Sequence, residues 1–479
     1  MKKIVCAVLS VCIICSVFAS CKDGKVSTVA TLKEEDFVTE KTIRKIADLP
    51  PNYSDADALK LYCDLGFDTF ILTEDDVSMV KDGKLNDSYK NAIKTLSDAG
   101  LEVWIRNMYN DPDCFENDKL KDGSNYGALY TLEPRKITDE FSEFPAVTGF
   151  YMADEAYMTT LEDDPATEME EKKFSAFDQF SKMIEWKNKY YPDLYTHFNH
   201  VPSSSVDHFR GYTYKEFLES FVNQITKKLD KGGRSICLDN YPWKNDSDIV
   251  KDSYLFDLLT AALVCKNYND DASEENKADF GLCLQTFQDT NLSLRDITSV
   301  EDITMQMYTG MSLGAKLYEY FCYRSFEAAG LSGIVDSSGN KRIYDYVKEA
   351  TERQKTLEKV ALGFDWYGLK AYEGEDDKNK NTFADVENML TDNAGALSDA
   401  ECRYDTIVGC FKKGKQDGYM AVNYTNPCIK QTDIVTLKFK NCSSVLVFTE
   451  EGCKSQKLVG GNELRLILPS GSAAFVIPE

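Results

Sequence analysis

The feature that most constrains this chain is an alternation. Between residues 42 and 323, strand-type runs and helix-type runs take turns until eight strands have been laid down. The strand runs lie at 42–51, 68–73, 101–107, 146–155, 194–201, 235–243, 280–287 and 315–323. Helical patterns fill 54–65, 86–99, 170–190, 214–229, 253–268 and 300–313 between them. The strand runs are nearly continuous in apolar residues, as expected for a sheet covered on both faces. Strand–helix alternation implies parallel pairing, and eight such units in fewer than 300 residues fit a (β/α)8 TIM barrel. Leu65-Gly66 and Ala99-Gly100 each read as a helix stop feeding the next strand. An open doubly wound sheet is the alternative, but no glycine-rich phosphate loop follows an early strand to support it.

After the barrel the pattern changes. A charged helix over Ile343–Lys359 closes it, and Glu373–Lys380 is a charged break. Short strands then follow at 407–411, 418–424, 434–439, 444–448, 463–468 and 473–478, divided by Gly, Asn and Pro turns. That spacing predicts a small all-β antiparallel sandwich. The expected organisation is a signal peptide at 1–20, a tether at 21–39, a barrel at 40–372 and a sandwich at 380–479.

The N-terminus bears on compartment. Lys2 and Lys3 precede an apolar stretch from Ile4 to Phe18, too short to span a bilayer comfortably. Phe18-Ala-Ser-Cys21 then resembles a lipoprotein signal, with Cys21 the lipidated residue, so the expected location is the outside of a cell envelope. The formal charge of −24 argues against nucleic acid and polyanionic substrates. No membrane contact beyond a lipid anchor is expected. The only C-x-x-C, Cys12 to Cys15, falls inside the signal, so nothing in the spacing predicts a metal centre or cofactor.

Candidate site residues come from the ends of the barrel strands, because the C-terminal ends of parallel barrel strands line the working face. The fourth strand stops abruptly in Asp154-Glu155. A carboxylic acid ending an apolar strand can keep its proton near neutrality, because burial disfavours the charged form. Glu155 is therefore the expected general acid. Asp239, ending strand six ahead of Tyr241 and Trp243, is the expected second carboxylate. Glu319 on strand eight comes next, and Glu74 and Asp76 after strand two are further options. Arg106, Asn107, Asn199, His200, Tyr241, Trp243, Gln285 and Glu319 carry the amide, cationic, carboxylate and aromatic groups that sugar hydroxyls and ring faces require. His197 and His200, three apart on a strand, face opposite sides and make no metal pair.

Together these features resemble a glycoside hydrolase. The barrel, the carboxylate pair closing strand four, the aromatic loops and the trailing sandwich most resemble the large clan whose acid/base is a Glu after strand four. In that clan the Glu usually follows Asn, whereas here it follows Asp154. The clan's nucleophile is a Glu ending strand seven, where this chain has Gln285. The resemblance implies hydrolysis of an oligosaccharide or polysaccharide through two carboxylates, roughly 5–5.5 Å apart for retention or 6.5–9.5 Å for inversion. An adjacent Asp-Glu pair also resembles hexosaminidases, in which the Asp orients the substrate's own acetamido group. A barrel that only holds glycan at the cell surface is the rival expectation.

Overall fold

A computed structural model of the chain describes residues 32–73, 80–81, 84–106, 140–154, 181, 184–185, 187–209, 211–245, 250, 253–375 and 382–479. Its centre is a parallel sheet of eight strands: β1 (Arg44–Ala47), β2 (Thr69–Thr73), β3 (Glu102–Arg106), β4 (Val147–Ala153), β5 (Tyr195–His200), β6 (Arg234–Asp239), β7 (Ala278–Gln285) and β8 (Leu317–Phe321). Their order around the sheet is β1-β8-β7-β6-β5-β4-β3-β2, every ladder being parallel. A backbone hydrogen bond from Asp68 to the Lys45 carbonyl, 3.3 Å, brings the two ends of the sheet together. This is the TIM barrel that the alternation predicts.

The helices follow from local chemistry. Asp55 caps α1 (Ala56–Asp64) by accepting from the Asp57 and Ala58 amides, and Asn86 caps α2 (Asp87–Asp98). Thr213 and Glu216 form a reciprocal capping box on α3 (Tyr214–Gln224). α4 (Ser253–Asp271), α5 (Val300–Ser312) and α6 (Tyr344–Ala361) complete the described long helices. Gly66 and Gly100 sit at φ +85° and +81°, the left-handed conformation that lets the chain leave α1 and α2 for the next strand. No described helix is long and apolar enough to cross a membrane.

Inside the barrel, Ile46, Ile71, Trp104, Tyr151, Tyr195, Cys237 and Leu317 form a closed cluster of their own. Trp104 stacks on Tyr195 with ring centroids 4.8 Å apart. Gly149 on β4 makes room for that indole, since a Cβ there would stand 2.6 Å from Trp104 Nε1.

The C-terminal part is an antiparallel sandwich. Six strands, β9 (Asp365–Tyr372), β11 (Thr406–Lys413), β12 (Gln416–Asn423), β17 (Ala473–Pro478), β14 (Ser444–Thr449) and β15 (Gly452–Lys457), form one sheet in that order. β10 (Leu397–Glu401), β13 (Thr432–Phe439) and β16 (Glu463–Pro469) form the other. Val408, Cys410, Tyr419, Val435, Leu437, Leu466 and Val476 fill the space between. The sequence reading runs the barrel to residue 372. β9 pairs with β11 and is therefore a strand of the sandwich sheet.

The outer face of the six-stranded sheet lies on the barrel helices. Thr304 on α5 donates to the Gly471 carbonyl at 2.8 Å, and Tyr308 donates to Glu450 at 2.8 Å. Phe411, Phe448 and Phe475 join the barrel's own core, so one apolar mass runs through both parts.

Candidate active site

Alternate residues of a strand face the same way, so each barrel strand carries an inward series. β1 leads from Ile46 to Asp48, β3 from Trp104 to Arg106, β5 from Tyr195 through His197 to Asn199, β6 from Cys237 to Asp239, and β8 from Leu317 to Glu319. The series turns from apolar to charged as it approaches the C-terminal mouth. β4 breaks register between Tyr151 and Ala153, an irregularity that re-aims its end toward the axis.

Arg106 is the hub. Its guanidinium bonds to Asp48 and, 2.6 Å away, to Asp154, with its Cζ 4.4 Å from the centre of the Tyr151 ring. Burial opposes its charge, but Asp48 and Asp154 outweigh that and raise its pKa. Asp154 is held on both oxygens. Oδ2 takes Arg106, while Oδ1 takes the Asn199 amide at 3.1 Å and, at 3.2 Å, shares the single proton of the Tyr151 hydroxyl with Glu319. With both oxygens engaged, Asp154 is a pillar of the mouth, which counts against its orienting a substrate acetamido group. The Asn199 amide oxygen is buried with no donor among the described residues, leaving an acceptor at the same place.

Below this layer lies Glu319. Its carboxylate takes the Tyr151 hydroxyl at 2.8 Å, faces His197 Nε2 at 3.2 Å and lies 3.8 Å from Cys237 Sγ. Burial, reinforced by Asp154, pushes its pKa up to about 7; burial also raises that of Asp48, against the opposing pull of the Arg106 guanidinium. Burial also lowers His197 to about 3, so its imidazole is neutral. Its Nδ1 pairs with Ser235 Oγ at 2.7 Å. The Glu319 side chain is 0% exposed and that of Asp154 is 24% exposed. Glu319, expected among the substrate-binding groups, is thus part of the barrel's floor and does not line its opening.

Other expected residues land elsewhere. His200 packs against Phe217 and Phe221 of α3, outside the barrel. It is no ligand of the mouth. Trp243 is buried under the loops, its indole donating to the Asp302 carbonyl at 3.1 Å while Arg295 lies over the ring. Gln285 is buried too and ties down the Trp243 backbone at 3.0 Å and the Arg295 carbonyl at 3.0 Å. Neither is placed to meet a substrate. Asp239 is half-buried at the end of β6 near Tyr241, whose hydroxyl lies 3.6 Å from Cys283 Sγ and whose ring packs on Phe287. Glu155, Asn107, Glu74, Asp76 and Cys21 lie outside the described residues.

Sequence reasoning missed Asp48, Tyr151, His197 and Cys237 as members of the cluster. Asp48 was legible by the strand-end rule, two residues beyond the inward Ile46. Tyr151, His197 and Cys237 sit in mid-strand, where nothing in the sequence separates them from packing residues.

No family model matches the chain, and no curated protein matches it. Solved structures do. A β-galactosidase from Bacillus circulans sp. alkalophilus superposes with a TM-score of 0.58 at 9% identity, covering 93% of this chain and 100% of that one. A catalytic mutant of a GH42 β-galactosidase from G. stearothermophilus gives 0.56 at 10% identity over 91% and 98%. A family 39 glycoside hydrolase from Bacteroides cellulosilyticus WH2 gives 0.51 at 10% identity over 92% and 81%. The chain therefore has a glycoside-hydrolase-like TIM barrel followed by an antiparallel β-sandwich. The likeness is one of fold.

Proposed function

We propose that this protein is a glycoside hydrolase acting on a glycan outside the cell, tethered by lipid on Cys21. The observation that carries this reading is the fixing of Asp154 at the barrel mouth by Arg106, Asn199 and Tyr151. This anchors the end of β4 one residue before Glu155. Glu155 serves as general acid/base and protonates the leaving glycosidic oxygen. Asp239, from a separate strand end beside Tyr241, supplies the second carboxylate. Arg106 and Asn199 bind and orient near the reacting sugar, Tyr241 flanks it, and no cofactor is needed.

One observation favours the rival, a surface protein that holds glycan without cleaving it. The end of β7 carries Gln285, and that amide is consumed by loop packing. The test is hydrolysis of a panel of nitrophenyl glycosides and oligosaccharides by the mature chain, Glu155→Gln and Asp239→Asn. The hydrolase reading expects turnover that falls by about 10²–10⁴-fold in Glu155→Gln, the usual worth of a positioned proton donor. Glycan binding with no turnover, equal in wild type and Glu155→Gln, would leave the glycan-holding barrel. Lipid labelling in cells that is lost in Cys21→Ser tests the tether.

A further inference from the structure

Three strands bring three different donor atoms to one point beneath the mouth. His197 from β5, Cys237 from β6 and Glu319 from β8 all face the barrel axis and are fully buried. Nε2, Sγ and a carboxylate oxygen lie within 4.8 Å of one another. We propose that they form a three-ligand site for one zinc-type divalent cation, with the fourth position left to a water molecule. The proposal is independent of the glycosidase reading.

Two of the three spacings are close to those the ion sets. Tetrahedral zinc takes nitrogen and carboxylate oxygen at about 2.0–2.2 Å and thiolate sulfur at about 2.3 Å, which sets donor–donor edges of about 3.3–3.6 Å. Here His197 Nε2 stands 3.2 Å from Glu319 Oε2, and Cys237 Sγ stands 3.8 Å from the same oxygen. Small side-chain shifts close the set around a common centre.

The surroundings are those of a ligand set. Metal-binding histidines are oriented by a partner on their other ring nitrogen, and ligating carboxylates are themselves hydrogen-bonded. His197 Nδ1 is held by Ser235 Oγ at 2.7 Å, leaving Nε2 for the centre. Glu319 Oε1 is held by the Tyr151 hydroxyl at 2.8 Å, leaving Oε2 for the centre.

Charge and donor softness select the ion. One thiolate and one carboxylate neutralise a dication, so the buried centre carries no net charge. Binding sends the thiol proton and the carboxyl proton to solvent. A mixed nitrogen, sulfur and oxygen set suits zinc and disfavours magnesium or calcium, which prefer oxygen alone. The site's role is to position: fixing Glu319 fixes Tyr151, whose hydroxyl also holds Asp154. The competing arrangement is a hydrogen-bonded knot in which a Glu319 proton goes to His197.

The experiment loads the chelator-treated, folded full chain with zinc or cobalt and removes excess metal by gel filtration. One equivalent should be retained. Zinc X-ray absorption should show a single sulfur among nitrogen and oxygen neighbours, and cobalt should give a thiolate charge-transfer band. Cys237→Ser should lose that band and the thermal stabilisation by zinc, whereas Cys428→Ser, at an exposed thiol, should keep both. Failure of the folded wild type to retain metal overturns the proposal. So does retained metal with no sulfur neighbour, or a charge-transfer band that survives Cys237→Ser. The absorption spectrum of the wild type decides the matter even where a variant does not fold.

Discussion

The Arg106 guanidinium reaches Asp154 at 2.6 Å while also bonding to Asp48, so one cation joins the ends of β1, β3 and β4. Removing it strands two carboxylates at a buried place. Arg106→Met should lower unfolding free energy by roughly 3–5 kcal/mol, the usual result of breaking a buried pair from one side. Arg106→Lys should recover only part of this, because an ammonium cannot span both partners as a planar fork does. Urea denaturation of the three proteins checks both statements.

Tyr151 links the two layers of the cluster. Its hydroxyl touches Asp154 Oδ1 above and Glu319 Oε1 below, and its ring lies under Arg106. Tyr151→Phe keeps the ring and deletes the hydroxyl. The expected loss is about 1–3 kcal/mol, the range for leaving a buried polar partner unsatisfied. Denaturant midpoints measure it. Turnover on any glycan substrate should fall as well, since Asp154 loses one of its three anchors.

Gly149 tests the packing of the barrel interior. A methyl group at that position would stand 2.6 Å from Trp104 Nε1 and 2.7 Å from its Cδ1. Trp104 cannot retreat freely, because Tyr195 stacks on it and Arg44 lies over it, 5.2 Å from the ring centroid. Gly149→Ala should therefore cost about 1–3 kcal/mol through overpacking. A shift in Trp104 fluorescence should accompany the loss of stability.

These residues show what the sequence makes legible. The eight barrel strands can be read because parallel strands buried on both faces stay apolar along their length, and because capped helices separate them. The strand-end rule reaches Arg106, Asp154, Asn199 and Glu319, but it does not say which way a side chain points. His200 is one residue beyond Asn199 and faces the opposite side, into the aromatic face of α3. The histidine that joins the cluster is His197, in mid-strand. Trp243 and Gln285 look like binding groups because they are aromatic or amide residues near strand ends. Arg295 and Asp302 come much later in the chain than Trp243, Gln285 is spent largely on Trp243, 42 residues before it, and no local pattern reveals either pairing. Asp48 could have been found from its spacing to Ile46.

Lys187 gives a pH signature away from the mouth. Its ammonium is buried and donates to the Pro192 carbonyl at 2.6 Å and the Lys231 carbonyl at 2.8 Å, tying the helix before β5 to the loop before β6. Burial, with help from Arg234, lowers its pKa to about 8. An unfolded chain holds that proton up to the ordinary lysine value, about 10.4. Below pH 8 both states are charged, and the cost of burying the charge is present in full. Between about 8 and about 10.4 the unfolded state binds the extra proton, so this residue's contribution to stability rises with pH. Other groups titrate in the same range, so the readout is a difference. The stability of wild type minus that of Lys187→Met should be flat below pH 8 and climb above it. Urea titrations from about pH 7 to about pH 10 measure the slope. A difference that stays level across that window would mean that the two carbonyls hold the lysine charged throughout.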